Sequence, residues 1–337
     1  MRRAAMILVL LCATTHCVLS IFYVNTSYLN LHDYASGTAP EPFQRRYLMV
    51  PLLHWAEQNP LLQSVARRYG RNVPQAEPMT PAKLVCVLAG LLLLNGFGLW
   101  TLRASRQLRL RHVWLLWALL LAILYASYGA RYEQSLWYPY DIPHVVLFGL
   151  ATAWILLDCP LAFACAFLID APLRETAIFL IPVALAVHWR SRKWLGTLAF
   201  CVAFWGVTRA VAYHLYPNGA HQWNAVRWYS MLKPWHLPQL VSIAGFLWLP
   251  VWLGAGYLHR RERMALYGAS AMMLVTFFFA TWNETRAWSE WSFLFAALAA
   301  LELERAFRAP QATLDDLDTE DREAGSREDY ESRTLPA

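Results

Sequence analysis

The chain has 337 residues, 58% of them hydrophobic and only 15% charged, with 17 tryptophans. A soluble domain is about one-quarter charged, so this composition argues against one and points to a polytopic membrane protein. The formal charge of +6 is spread in short clusters between apolar runs, as membrane anchors are, and does not form a nucleic-acid-binding patch.

In chain order, Arg2-Arg3 precede an apolar run from Ala4 to Val24. The run is long enough to span and has no small-x-small cleavage site at its end, so it reads as an uncleaved first helix. A long loop follows, from Asn25 to about Pro81. It contains His32-Asp33-Tyr34, then Pro42-Phe43-Gln44-Arg45-Arg46-Tyr47, then amphipathic segments at Tyr47–Glu57 and Leu61–Tyr69 that suit helices lying at a membrane interface. Further spans are expected at Lys83–Leu102, Val113–Ala130, Ile142–Leu157, Leu161–Ile169, Thr176–His188, Leu195–His214, Leu240–Leu258, Met264–Thr281 and Trp291–Ala306. Leu161–Ile169 is the weakest of these. It reads either as part of a re-entrant hairpin with Thr176–His188 or as part of a longer tilted helix. Gln311–Ala337 is acidic and nearly free of apolar residues, which predicts a disordered tail after a membrane domain at 1–310. The six cysteines form no CxxC pair and no Cys/His metal spacing, so neither a disulfide framework nor a zinc site is expected.

Arg103, Arg106, Arg109 and Arg111 follow the second span, Arg190, Arg192 and Lys193 the sixth, and Arg260, Arg261 and Arg263 the eighth. With about ten spans these loops share one side with Arg2-Arg3, and the positive-inside rule makes that side cytoplasmic. Both termini are then cytoplasmic. The polar clusters of the long loop, Tyr138-Pro-Tyr140-Asp141, Asp170 to Thr176, His214 to Asn224 and Asn283 to Glu290 all fall on the external face.

Ionisable groups at such membrane edges are functional candidates. Asp33 suits general-base chemistry, with a helix cap or a solvated loop acid as the plain alternative, and His32 is placed to tune it or to bind phosphate. Gln44, Arg45 and Arg46 suit a phosphate or pyrophosphate, or else a lipid headgroup. Tyr140-Asp141 precedes a span, where Asp141 serves equally well as a helix cap, and His144 lies one turn further along. Asp170 and Arg174 are four apart and are expected to pair locally, leaving Glu175 to find Arg209 or Arg286. His221 and Trp223 bring donors and an aromatic face suited to a sugar. Arg286 and Glu290 form an i,i+4 pair, with Glu284 projecting separately.

The order Pro-Phe-Gln-x-Arg in a long first external loop, Tyr-Asp before a mid-chain span, Arg-Glu-Thr-Ala opening a later span and Glu-x-Arg near the last resembles bacterial polytopic proteins of the GT-C glycosyltransferase-like superfamily. Here those stretches are Pro42–Arg46, Tyr140-Asp141, Arg174–Ala177 and Glu284–Arg286. The resemblance implies an all-α bundle in the bacterial inner membrane, active at the periplasmic face in envelope or exopolysaccharide assembly. It further implies a polyprenyl-phosphate-linked sugar as donor, a glycan or lipid-linked acceptor, and Asp33 as the base. In that superfamily an acid-x-acid pair serves as base or helps to hold a metal. Here the residues are His32-Asp33-Tyr34, so no cofactor is expected and a divalent metal has no such pair behind it. A flippase, a non-enzymatic membrane subunit and a membrane acyltransferase are the competing readings. The apolar mid-span positions of Val113–Ala130 and Met264–Thr281 count against a translocation pathway.

Overall fold

The computed structural model describes residues 2–40, 43–70, 77–128, 136–217, 242–279 and 285–308. Nearly all of this is helix. α1 is Arg2–Val24, α2 Leu31–Ser36, α3 Val50–Gln58, α4 Pro60–Gly70, α5 Pro81–Gln107, α6 Leu115–Tyr128, α7 Asp141–Leu156, α8 Pro160–Asp170 and α9 Leu180–His188. α10 is Arg192–Leu215, α11 Trp248–Leu253, α12 Arg260–Phe279 and α13 Ser292–Arg308. Two-residue strands β1 (Thr26–Ser27) and β2 (Leu136–Trp137) pair in parallel and tie the end of α1 to the entry of α7.

Three helices, α1, α5 and α10, are long and apolar enough to cross a membrane. α6, α7 and α8, and the stretch Glu175–His188, are apolar but have only 10–17 residues. That is short of the roughly 20 a straight crossing takes. α5 packs against α1, α6 and α7, while α7 also packs on α8 and α13. Close packing has a specific requirement at Gly98. A Cβ there would sit 2.2 Å from the Trp117 ring, whose indole Nε1–H donates to Thr14 Oγ1 at 3.0 Å. One glycine thus lets α5, α6 and α1 meet.

Local chemistry sets the helix ends. Thr80 caps α5 by accepting from the Lys83 backbone N–H, ahead of Pro81 in the first turn. α5 and α7 each end on a left-handed residue, Arg109 (φ 60°) and Asp158 (φ 57°). The following N–H groups reach back to Ser105 O (2.8 Å, from Leu110) and Trp154 O (2.9 Å, from Cys159). This is the hydrogen-bond closure that stops a helix where no glycine is available.

The expected continuous span Leu240–Leu258 is corrected by the structure, with Leu240 itself outside the described residues. From Ser242 the chain is broken into a 3-10 turn (Ile243–Phe246), α11 and a second 3-10 turn (Ala255–Tyr257). The break is a run of positive φ at Ala244 (52°), Gly245 (62°) and Phe246 (66°), followed by Pro250 in α11. An apolar sequence can therefore look like a span while its backbone turns left-handed against α6.

Two separate polar networks lie at opposite ends of the helices. In one, Glu304 accepts from the backbone N–H groups of Arg111 and His112, both at 2.7 Å. In the same network Arg305 pairs with Glu262 (2.8 Å), and Trp194 donates to Asp158 (2.6 Å). These are the loops that the arginine pattern groups together. The other network contains the candidate site.

Candidate functional site

The site forms where the 3-10 turns after α2, the entry to α7, the exit of α8 and the segment before α9 converge. α2 is short and well capped. Asn30 Oδ1 accepts from the His32 N–H at 3.0 Å, and Gly37 closes the helix with φ 82°. This places Tyr34 inward, fully buried, with its hydroxyl donating to the Arg46 carbonyl. Gln44 fastens the same loop: its Oε1 accepts from the Ala39 N–H (3.0 Å) and its Nε2 donates to the Tyr34 carbonyl (3.4 Å).

Arg46 is the hub. Its Nε donates to Glu175 Oε2 at 2.9 Å, its Nη2 to Glu175 Oε1, and its Nη1 to the Tyr140 hydroxyl at 2.7 Å. The guanidinium also lies 4.9 Å from the Tyr140 ring centre. Burial works against its charge, but Glu175 and Tyr140 outweigh burial and raise its pKa further. Burial would likewise raise the Glu175 carboxyl, yet Arg46 overrides it and holds that carboxyl at about 2. Tyr140, Tyr138 and Phe43 stack face to face, with centroids 5.3 and 5.2 Å apart, and form an aromatic wall beside the pair. Arg45 turns the other way, its guanidinium 3.8 Å from the Tyr213 ring centre on α10.

Asp141 Oδ2 accepts from the Tyr138 N–H at 3.0 Å and so tightens the turn into α7. One turn on, His144 is fully buried between two carboxylates. Its Nδ1 lies 2.7 Å from Asp170 Oδ1 and its Nε2 lies 2.9 Å from Glu290 Oε2. Thr176 donates to the same Glu290 oxygen at 2.7 Å and lies 3.4 Å from His144 Nε2. Asp170 therefore pairs with His144 rather than with Arg174, and Glu175 with Arg46 rather than with Arg209, the Arg286 side chain lying outside the described residues. Glu290 meets His144 and Thr176, and the side chain of Arg286, its expected i,i+4 partner, lies outside the described residues. In each case the tertiary partner is buried and charge-complementary, which a local i,i+4 contact at a wet edge is not.

Arg174 is half-buried and makes no side-chain hydrogen bond among the described residues; its Nε is buried without an acceptor. It lies in the field of Glu290, Asp141 and Glu175, with Arg46 opposing. Arg209 donates from Nη2 to the Ala171 carbonyl at 2.6 Å, and Trp205 donates to the Glu175 carbonyl at 3.1 Å. α10 thereby braces the 171–175 segment.

Asp33 sits in the first turn of α2, half-exposed, beside inward-facing Tyr34, and His32 is exposed. No described residue hydrogen-bonds the Asp33 carboxylate. Pro42, His221, Trp223 and Glu284 lie outside the described residues. Arg286 is described only in its backbone, within the 3-10 turn Thr285–Trp291. No group of three or more metal-ligating side chains occurs among the described residues. Tyr34 and Thr176 have no role of their own in the sequence reading; Asp170 and Glu290 figure there only as local i,i+4 partners, and His144 as a neighbour one turn past Asp141. The available signal was an acid in apolar sequence, as at Asp170; which partner it meets is long-range information.

Compared with protein-family profiles, curated proteins and solved structures, the chain matches none.

Proposed function

We propose that this chain is a ten-crossing transferase of the bacterial inner membrane. It moves a sugar from a polyprenyl-phosphate donor to a glycan or lipid-linked acceptor at the periplasmic face. The observation that carries the reading is Arg174: a half-buried guanidinium with no hydrogen-bonded partner among the described residues, held in the polar cluster at one end of the helices in the field of Glu290, Asp141 and Glu175. A phosphate would supply the missing acceptors.

In this reading Arg174, with Arg286, holds the donor phosphate and offsets the charge that develops on the leaving group, while Arg45 stays on the Tyr213 ring. Arg46, committed to Glu175 and Tyr140, shapes the site. Tyr140 and Trp223 border the sugar. Asp33 removes the acceptor proton as that oxygen attacks the anomeric carbon. The membrane topology follows from the arginine pattern of the loops, and the loops it groups as cytoplasmic are those of the Glu304 and Glu262 network.

The test is mass spectrometry of lipid-linked sugars in a strain lacking the protein, complemented by wild type or Asp33→Asn. Unmodified acceptor should accumulate in the deletion. Asp33→Asn should fold and lose transfer by roughly 100-fold or more. Full activity in that variant removes the assigned base. Donor trapped on the cytoplasmic face would instead make the protein a flippase.

A further inference from the structure

The Asp170–His144–Glu290 chain is more elaborate than helix packing needs. All three side chains are fully buried. Both imidazole nitrogens face a carboxylate oxygen, at 2.7 and 2.9 Å. Ionised carboxylates only accept, so with Asp170 and Glu290 both ionised the two contacts call for a proton on each nitrogen. The groups facing the ring come from three separate elements: Asp170 from the end of α8, Glu290 from the turn before α13, and Thr176 from the turn before α9, with Arg174 the neighbouring cation. The far oxygens, Asp170 Oδ2 and Glu290 Oε1, are buried without partners among the described residues, so there the carboxylates spend their hydrogen bonding on His144 and Thr176. Only the Thr176 end opens to the site, two residues from Arg174. Thr176 is half-buried, and its hydroxyl lies within 3.4 Å of His144 Nε2.

We infer that Thr176 contacts the phosphate oxygen that leaves the sugar, and that His144 supplies that oxygen with a proton. This rests on the transferase reading for the identity of the phosphate. The acceptor oxygen forms its bond to the anomeric carbon as the carbon–oxygen bond to phosphate breaks, and the electron pair stays on the phosphate oxygen. Thr176 turns its hydroxyl from Glu290 to that oxygen and gives up its proton, and the Nε2–H of His144 replaces it. The acceptor proton ends on Asp33. His144 is left neutral, still donating from Nδ1 to Asp170, and regains a proton from solvent after release. Thr176 is then a catalytic residue, while Asp170 and Glu290 are positioning residues that keep the imidazole charged and aimed.

Two measurements on the full chain in lipid nanodiscs test this. The first is nitrogen NMR of ¹⁵N-histidine-labelled protein at neutral pH, with the His144 signals assigned by their loss in His144→Gln. The expectation is two protonated ring nitrogens, with one proton lost in Glu290→Gln; a neutral imidazole in the wild type overturns the proton assignment. The second is the affinity for decaprenyl phosphate, read as intrinsic fluorescence on titration. Thr176→Ser should bind as wild type does, and Thr176→Val about tenfold or more weaker. Equal binding by Thr176→Val overturns the contact. Should the chain bind decaprenyl phosphate through Thr176 yet transfer no sugar, the transferase reading falls while the phosphate contact stands.

Discussion

Arg46 and Glu175 are 129 positions apart in the chain, yet they form the most directional contact in the site, two parallel N–H···O bonds from one guanidinium. Arg46 is nearly enclosed, with 10% of its side chain exposed, whereas Glu175 exposes 37%. Removing one partner of a fully buried pair typically costs about 3–5 kcal/mol. Solvent at Glu175 screens part of this, so Glu175→Gln is expected to cost about 1–3 kcal/mol, measured as a lower midpoint in detergent unfolding. The pH dependence has a definite sign. The folded carboxyl is held at about 2, below its ordinary range. Its contribution is therefore complete above the unfolded carboxylate range and is lost as pH falls from about 4 towards about 2. Wild-type stability should fall more steeply than that of Glu175→Gln across that window; parallel curves would contradict the pairing. The residue types at these positions were legible in the sequence, since charges flanked by apolar runs are costly and therefore conspicuous. Their partners were not. Spacing along a helix proposes neighbours three or four residues away, whereas Arg46, His144 and Glu290 find theirs on other elements.

Helices were the more readable scale. The apolar runs of α1, α5, α6, α7, α8, α10 and α12 start and stop within a few residues of where hydropathy and the flanking prolines and charges put them. Leu161–Ile169, the weakest expectation, is a helix of its own, Pro160–Asp170, that turns at Ala171 and Pro172 before the 3-10 segment. The failure at 242–258 has a physical cause. Hydropathy measures transfer into an apolar environment and is blind to backbone hand, so left-handed Ala244 and Phe246, each costing about 1–2 kcal/mol, leave no trace in it. Close approach of helices is equally invisible in composition. Gly98→Ala places a methyl 2.2 Å from the Trp117 ring. It should destabilise by about 1–3 kcal/mol through displacement of that ring from Thr14. Thermal unfolding followed by tryptophan fluorescence reads both effects, and an unchanged midpoint would show that the ring moves freely.

Across the whole molecule, the two polar networks divide the loops into two sets. Ser36, exposed at the end of α2, belongs to the set at the candidate site, and Gln107, exposed at the end of α5, belongs to the other. The proposed topology puts them on opposite faces of the membrane. With exposed Cys12, Cys159 and Cys165 replaced by alanine, Ser36→Cys should react with a membrane-impermeant maleimide in spheroplasts. Gln107→Cys should react only after permeabilisation. Labelling of both from one side would refute the alternation.

By itself the sequence determined that this is an apolar, helical chain with membrane-length segments, and it marked the positions where polar groups interrupt them. It could do so because burial and helix length act locally and leave a periodic or compositional trace. Only the tertiary structure decided that Arg46 meets Glu175 and Tyr140, that His144 bridges Asp170 and Glu290, and that Arg174 has no hydrogen-bonded partner among the described residues. Charge pairing acts through space at a few ångströms. Which charges come that close is fixed by how the helices pack, at glycines such as Gly98 and turns such as Ala171-Pro172, and not by distance along the chain.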